Sequence, residues 1–208
     1  MSENYKTIAE MYSAEIIEKK SRFIAELAPA LTEQEAVDFV KSRKKFYHDA
    51  KHTCSAYIIG ADGRIVHSSD DGEPSGTAGK PMLSILDGAG LRYVVAAVTR
   101  YFGGVLLGTG GLVRAYSGAL EKCLSEAKII TYCQGAKIKI EASYTDVGKL
   151  QYMFSSENLN VLASDYSDKV TFILIVPSEI EEYVLKRVTE DTNGKAIASV
   201  LEHDFFSF

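Results

Sequence analysis

The period of apolar positions changes several times along the chain, and each change marks an element. Residues 5–17 and 20–28 mix β-branched and aromatic residues with polar ones, which predicts two strands. At Thr32 the period becomes helical. Ala36, Val37 and Val40 form an apolar stripe, Thr32-Glu33-Gln34-Glu35 has the spacing of a capping box, and the pattern runs out near Phe46. Residues 55–60 read as a third strand, closed by the Asp62-Gly63 turn. Residues 68–80 show no apolar period and read as a long loop. Pro81 suits the first turn of a short helix with Met82, Ile85 and Leu86 on one face, stopped by Gly88 and Gly90. The unbroken run Val94 to Val98 reads as a strand buried on both faces. A glycine-rich loop, 103–111, follows. Leu112, Tyr116, Leu120, Cys123 and Ala127 then recur at helical spacing, which predicts a helix starting near Leu112.

Near Tyr132 the pattern restarts. Strands are expected at 137–142, 161–166, 169–176 and 196–204, with helices at 146–157 and 179–189. That order is β-α-β-β-α-β, the ferredoxin-like split unit. The fold class expected is therefore α+β in two domains, 1–131 and 132–208.

Composition changes this picture little. With 46% apolar and 25% charged residues, the chain can bury a core. No run approaches the about 20 apolar residues a bilayer requires, and the start has Glu3 and Glu10 but no apolar signal core. A cytoplasmic protein is expected. Three cysteines, Cys54, Cys123 and Cys133, with no Cys-x-x-Cys, indicate neither a disulfide framework nor a zinc ribbon. The net charge is −5, and it is unevenly placed: residues 1–130 carry 16 basic and 16 acidic side chains, residues 131–208 carry 7 and 12. A phosphate-binding face is thus disfavoured in the second domain. The cluster Lys41, Arg43, Lys44, Lys45 and Lys51 reads as a cationic helix end or a partner-binding patch.

Candidate chemistry concentrates between Asp70 and Arg114. Gly103, Gly104, Gly108, Gly110 and Gly111 lie between a buried strand and a helix, where backbone N–H groups could cradle an anion or simply permit close packing. The loop lacks the Walker Gly-Lys-Ser/Thr and the last glycine of the dinucleotide fingerprint. Arg114, expected in the first helical turn, would oppose the macrodipole, so it calls for a bound anion or an internal acid. Arg100, at the end of the buried strand, raises the same question. Asp70-Asp71-Gly72-Glu73 could pair those arginines, contact a partner, or remain a solvated turn; its pattern is not that of a metal loop. His48 and His52 have zinc-protease spacing, but a strand follows at once, so they should not share a helix. Cys54 beside His52 lacks a third orienting group and reads as a small core residue. No Gly-x-Ser-x-Gly elbow occurs.

Several of these runs resemble a known family. Asp70-Asp71-Gly72-Glu73-Pro74-Ser75-Gly76-Thr77-Ala78-Gly79-Lys80-Pro81, Thr99-Arg100-Tyr101-Phe102-Gly103-Gly104 and Leu107 to Tyr116 closely resemble blocks of the YigZ/IMPACT family, as do Lys20 to Ile24 and Ala50 to Tyr57. The resemblance implies a first domain like domain 2 of ribosomal protein S5 and a second like the C-terminal domain of elongation factor G. It also implies kinship with eukaryotic proteins that regulate translation initiation, and supplies no reaction for bacterial members. Leu106 stands where many relatives have lysine, and Thr53 where asparagine is usual.

The expectation is a non-catalytic protein that binds ribosome, RNA or a translation-associated protein. It would have no metal, no cofactor, no membrane contact and no sequence-specific reading of DNA. The contact surface expected is Asp70, Asp71, Gly72, Glu73, Arg100, Tyr101, the five loop glycines, Arg114 and His52. The alternatives are an enzyme acting on a small phosphorylated metabolite through the 103–111 loop, and a purely protein–protein regulator.

Overall fold

A computed structural model describes residues 4–208, and the chain divides between Thr131 and Tyr132 into two units. The alternation expected over 5–17 is interrupted at Ala9, Glu10 and Met11, so two strands form there, β1 (Tyr5–Ile8) and β2 (Tyr12–Glu18). β2 turns into β3 (Ser21–Pro29) through Lys19 and Lys20, both at positive φ (44° and 68°), the twist a two-residue hairpin demands. α1 (Glu33–Phe46) starts where the capping-box spacing predicts, with the return bond made one residue before the N-cap. Thr32 Oγ1 accepts from the Glu35 N–H at 3.2 Å, and the Glu35 carboxylate accepts from the Leu31 N–H at 2.8 Å.

β4 (His52–Ile59) hairpins into β5 (Ile65–Ser69), a strand the sequence reading did not anticipate and which takes the start of the expected 68–80 loop. α2 (Gly79–Gly88), β6 (Val94–Tyr101) and α3 (Gly108–Glu126) complete the unit. Its antiparallel sheet runs β2-β3-β6-β4-β5. Because side chains alternate across a strand, β6 serves two cores: Val94, Ala96 and Val98 pack under α2 and α3, while Val95 packs with Ala28, Tyr57 and Ile59 under α1. Burial on both faces is what the unbroken apolar run of β6 encodes.

The second unit has β7 (Ile129–Ala142), which begins just before the division, α4 (Val147–Ser156), β8 (Asn160–Tyr166), β9 (Val170–Pro177), α5 (Glu181–Asp191) and β10 (Ile197–Ser207). The strand order β10-β7-β9-β8, all antiparallel, is that of a ferredoxin-like unit. Ile138, Ile140 and Phe172 from the sheet meet Leu150, Phe154 and Val188 from the helices in its core. Among the described residues, no helix is long and apolar enough to cross a membrane.

Candidate functional site

One end of the first-unit sheet gathers the β2–β3 turn, the start of β4, the end of β6 and the start of α3. The loop 70–78 is fixed there by its own carboxylates. Asp70 Oδ1 accepts from the Ala78 and Gly79 N–H groups, each at 2.9 Å, and Oδ2 from the Gly76 N–H at 2.7 Å. Burial works to raise the Asp70 carboxyl, but those hydrogen bonds and the charge of Lys80 outweigh it and hold the group below the usual aspartate value. Asp70 thereby supplies the start of α2 with the acceptor that its N-cap, Ala78, lacks. Asp71, at φ 44°, accepts from the Thr53 N–H (2.7 Å) and pairs with Lys44 of α1, while its carbonyl lies 2.8 Å from His52 Nδ1. Gly72 sits where a Cβ would lie 3.4 Å from the His52 ring.

Glu73 turns inward. Its Oε1 accepts from Arg100 Nη1 and from the Tyr116 hydroxyl, both at 2.8 Å. The Arg100 guanidinium is sandwiched 5.5 Å from the Phe23 ring and 5.4 Å from Phe102, and its Nη2 reaches Ser21 Oγ at 3.4 Å. Ser21 Oγ also accepts from the Gly103 N–H (3.2 Å), so one hydroxyl joins the arginine to the glycine loop. Arg100, 7% exposed, is thus an interior strut paired with an internal acid, the internal one of the two outcomes left open for it, and it offers little surface to a ligand. Cys54 completes the cluster, its thiol donating to the Asp70 carbonyl at 3.0 Å. Burial first, with the neighbouring carboxylates, pushes this thiol up to about 12, and burial likewise raises the Tyr116 hydroxyl far above its ordinary value. A thiol so raised holds its proton at neutral pH and is a poor nucleophile. His48 lies in the turn after α1 and His52 opens β4, so the two histidines are not on one helix.

Arg114 is placed differently from expectation. α3 begins at Gly108, four residues before Leu112, which makes Arg114 its seventh residue. Its backbone thus lies past the first turn, where the macrodipole acts most strongly. A helical side chain instead leans toward the helix start, over the residue four positions earlier. That residue is Gly110, and Arg114 Nη1 lies 3.7 Å from where a Cβ there would be. The guanidinium is therefore laid along the first turn, where no side chain caps the backbone N–H groups. Arg114 is exposed, and no hydrogen bond or ion pair engages it among the described residues. A cavity of about 170 Å³ opens beside it between Ile16, Glu18, Lys19, Leu107 and Gly111. Gly104, Gly108 and Gly110 are exposed, Gly103 and Gly111 half-buried.

Tyr101 donates its hydroxyl to Asp49 Oδ1 at 2.7 Å and carries the Arg22 guanidinium 5.8 Å from its ring. The site residues missed from sequence are Ser21 and Tyr116, each acting across a distance in sequence that no local pattern records, while Lys44 of the cationic cluster pairs with Asp71.

Fold and site together define a two-domain α+β protein whose first domain presents an uncapped, glycine-rich helix start beside a free cation. Residues 19–124 match the Impact N-terminal domain, and residues 140–195 match a domain of unknown function, DUF1949. The IMPACT family member YvyE of Bacillus subtilis (strain 168) is 39% identical over 196 residues, spanning 94% of this chain and 90% of that protein. The IMPACT family member YigZ of Escherichia coli (strain K12) is 37% identical over 171 residues, 81% of this chain and 84% of its own. The crystal structure of a hypothetical protein, 32% identical, superposes with a TM-score of 0.63 over 97% of this chain and 99% of that one. The chain belongs to the IMPACT family.

Proposed function

We propose that this protein binds RNA of the translation machinery, and that the contact is made by the start of α3 and the loop before it. The observation that carries this reading is the Arg114 guanidinium, unpaired and laid beside uncapped N–H groups of a glycine-opened helix. A cation and a helix N-terminus together favour a phosphate. Around the same end of the sheet stand exposed Lys19, Lys20, Arg22, Lys45 and Lys51, with exposed Phe46 and Phe102. Cations interleaved with aromatic faces suit single-stranded nucleic acid, whose phosphates and bases they would hold. The interior cluster of Asp70, Glu73, Arg100 and Tyr116 supports a rigid platform for contact, and the raised Cys54 thiol speaks against nucleophilic chemistry there.

Leu106, 83% exposed at the loop apex beside Phe102 and Val105, favours a second reading, a protein partner docked on the same loop. Affinity capture of the protein from lysate, with and without RNase, separates the two. The RNA reading expects ribosomal components to be lost on RNase treatment. Partners retained after complete digestion contradict it.

A further inference from the structure

The opposite face of the first-unit sheet holds a second opening. α1 closes over Tyr57, Ile59 and Val95 but leaves a cavity of about 180 Å³ above β4 and β5. Its helix wall is Val37, Val40, Lys41 and Lys44; its floor is Ser55, Tyr57, His67 and Ser69, paired Ser55 with Ser69 and Tyr57 with His67.

The polar groups of this cavity are those an anion needs. Ser55 is 3% exposed, yet its hydroxyl has no hydrogen-bond partner among the described residues. Lining the cavity, that hydroxyl is free to donate to a ligand acceptor. Ser69 Oγ only accepts, from the Asp71 N–H at 3.3 Å, which leaves its proton free to donate. The His67 ring stacks on Tyr57 (centroids 4.9 Å apart, 19° between planes) and makes no hydrogen bond among the described residues. Lys41 and Lys44 of α1 line the cavity on its helix side. Their acidic partners, Asp38 at 3.6 Å from Lys41, and Asp71 on Lys44, do not line the cavity, and no other carboxylate does. These donors therefore line one space that no carboxylate lines.

Size narrows the ligand. Pockets for drug-sized ligands run from about 300 Å³ upward, so this one is too small for a nucleotide. Val37, Val40 and the Tyr57 ring offer an apolar wall to a short carbon fragment. We infer that the cavity between α1 and the β4–β5 hairpin is a binding site for a small phosphate-bearing anion, held by Lys41, Lys44 and the Ser55 hydroxyl with His67 alongside. The site is separate from the start of α3, which packs on the other face of the sheet.

The test is an NMR titration of the whole chain, at constant ionic strength, with inorganic phosphate and with glycerol 3-phosphate. Saturable shifts are expected at the Ser55 amide and the His67 ring, with glycerol 3-phosphate tighter if the apolar wall is used and equal affinities if free phosphate is the ligand. Lys41 is exposed, so Lys41→Gln should fold normally and bind about tenfold more weakly, the loss of one charge-assisted contact. Arg114→Ala should leave these shifts unchanged. Absence of saturable shifts at Ser55 and His67, or binding by Lys41→Gln equal to the unaltered protein, overturns the assignment.

Discussion

The Glu73 carboxylate and the Arg100 guanidinium are both nearly sealed from solvent, 4% and 7% exposed, and each depends on the other. Removing one member of a buried pair strands the other charge, so Glu73→Ala or Arg100→Ala should cost about 3–5 kcal/mol in urea denaturation. Loss near the scale of an exposed pair, below about 1 kcal/mol, would show the interior charges to be solvated. Asp70 gives a pH signature. Its folded value lies below its unfolded one, so the stabilisation is present above the ordinary aspartate range and is lost as pH falls through the folded value. Hydrogen-exchange protection of the Gly76, Ala78 and Gly79 amides should decline over that acid window, and Asp70→Asn should remove the pH dependence. Cys54 acts at the other end of the scale. Raised to about 12, it favours the folded state fully below the ordinary thiol value and loses that contribution as pH rises through about 12. In the native protein at pH 8 it should resist alkylation that the denatured chain accepts, as mass spectrometry would read. At this scale the sequence offered the 70–73 carboxylates as partners for Arg100 but did not choose among them. Glu73 meets Arg100 and Tyr116 across 27 and 43 positions, and no spacing rule reaches that far.

Elements were more legible than their edges. The capping box placed the start of α1, and unbroken apolarity placed β6, because local hydrogen bonding and burial leave direct traces in residue type. β5 escaped because Ile65 and Val66 are its only two strongly apolar residues and both are exposed; the Asp62-Gly63 turn, read as a stop, was the trace of its hairpin. α3 starts earlier than its apolar spacing indicates because glycine is a poor helix former, yet Gly108, Gly110 and Gly111 belong to the helix. Two of the loop-and-helix glycines should respond oppositely to substitution. A Cβ on Gly103 would lie 2.0 Å from the Lys20 carbonyl carbon and oxygen, so Gly103→Ala should force the loop off the β2–β3 turn and depress Tm sharply. Gly110 has an ordinary helical φ and only the Arg114 guanidinium nearby, so Gly110→Ala should raise stability by up to about 1 kcal/mol. Calorimetry of both variants checks the pair. Equal effects would mean that Gly103 does not need the close approach.

Across the whole molecule, the two units differ in charge. Lys19, Lys20, Arg22, Lys45 and Lys51 of the first unit stand toward the α3 start, and the acidic excess falls in the second unit. Folding, however, uses Arg100 internally and leaves Arg114 as the arginine of the original pair that faces outward. The account therefore rests on Arg114 and its glycine bed. The most direct test is the affinity of the full chain for ribosomal RNA across a series of salt concentrations, for the unaltered protein and Arg114→Ala. A phosphate contact predicts affinity that falls steeply with salt, and a variant that binds more weakly with a log–log slope shallower by about one. RNA binding indifferent to salt, with the Arg114→Ala curve lying on that of the unaltered protein, would contradict it.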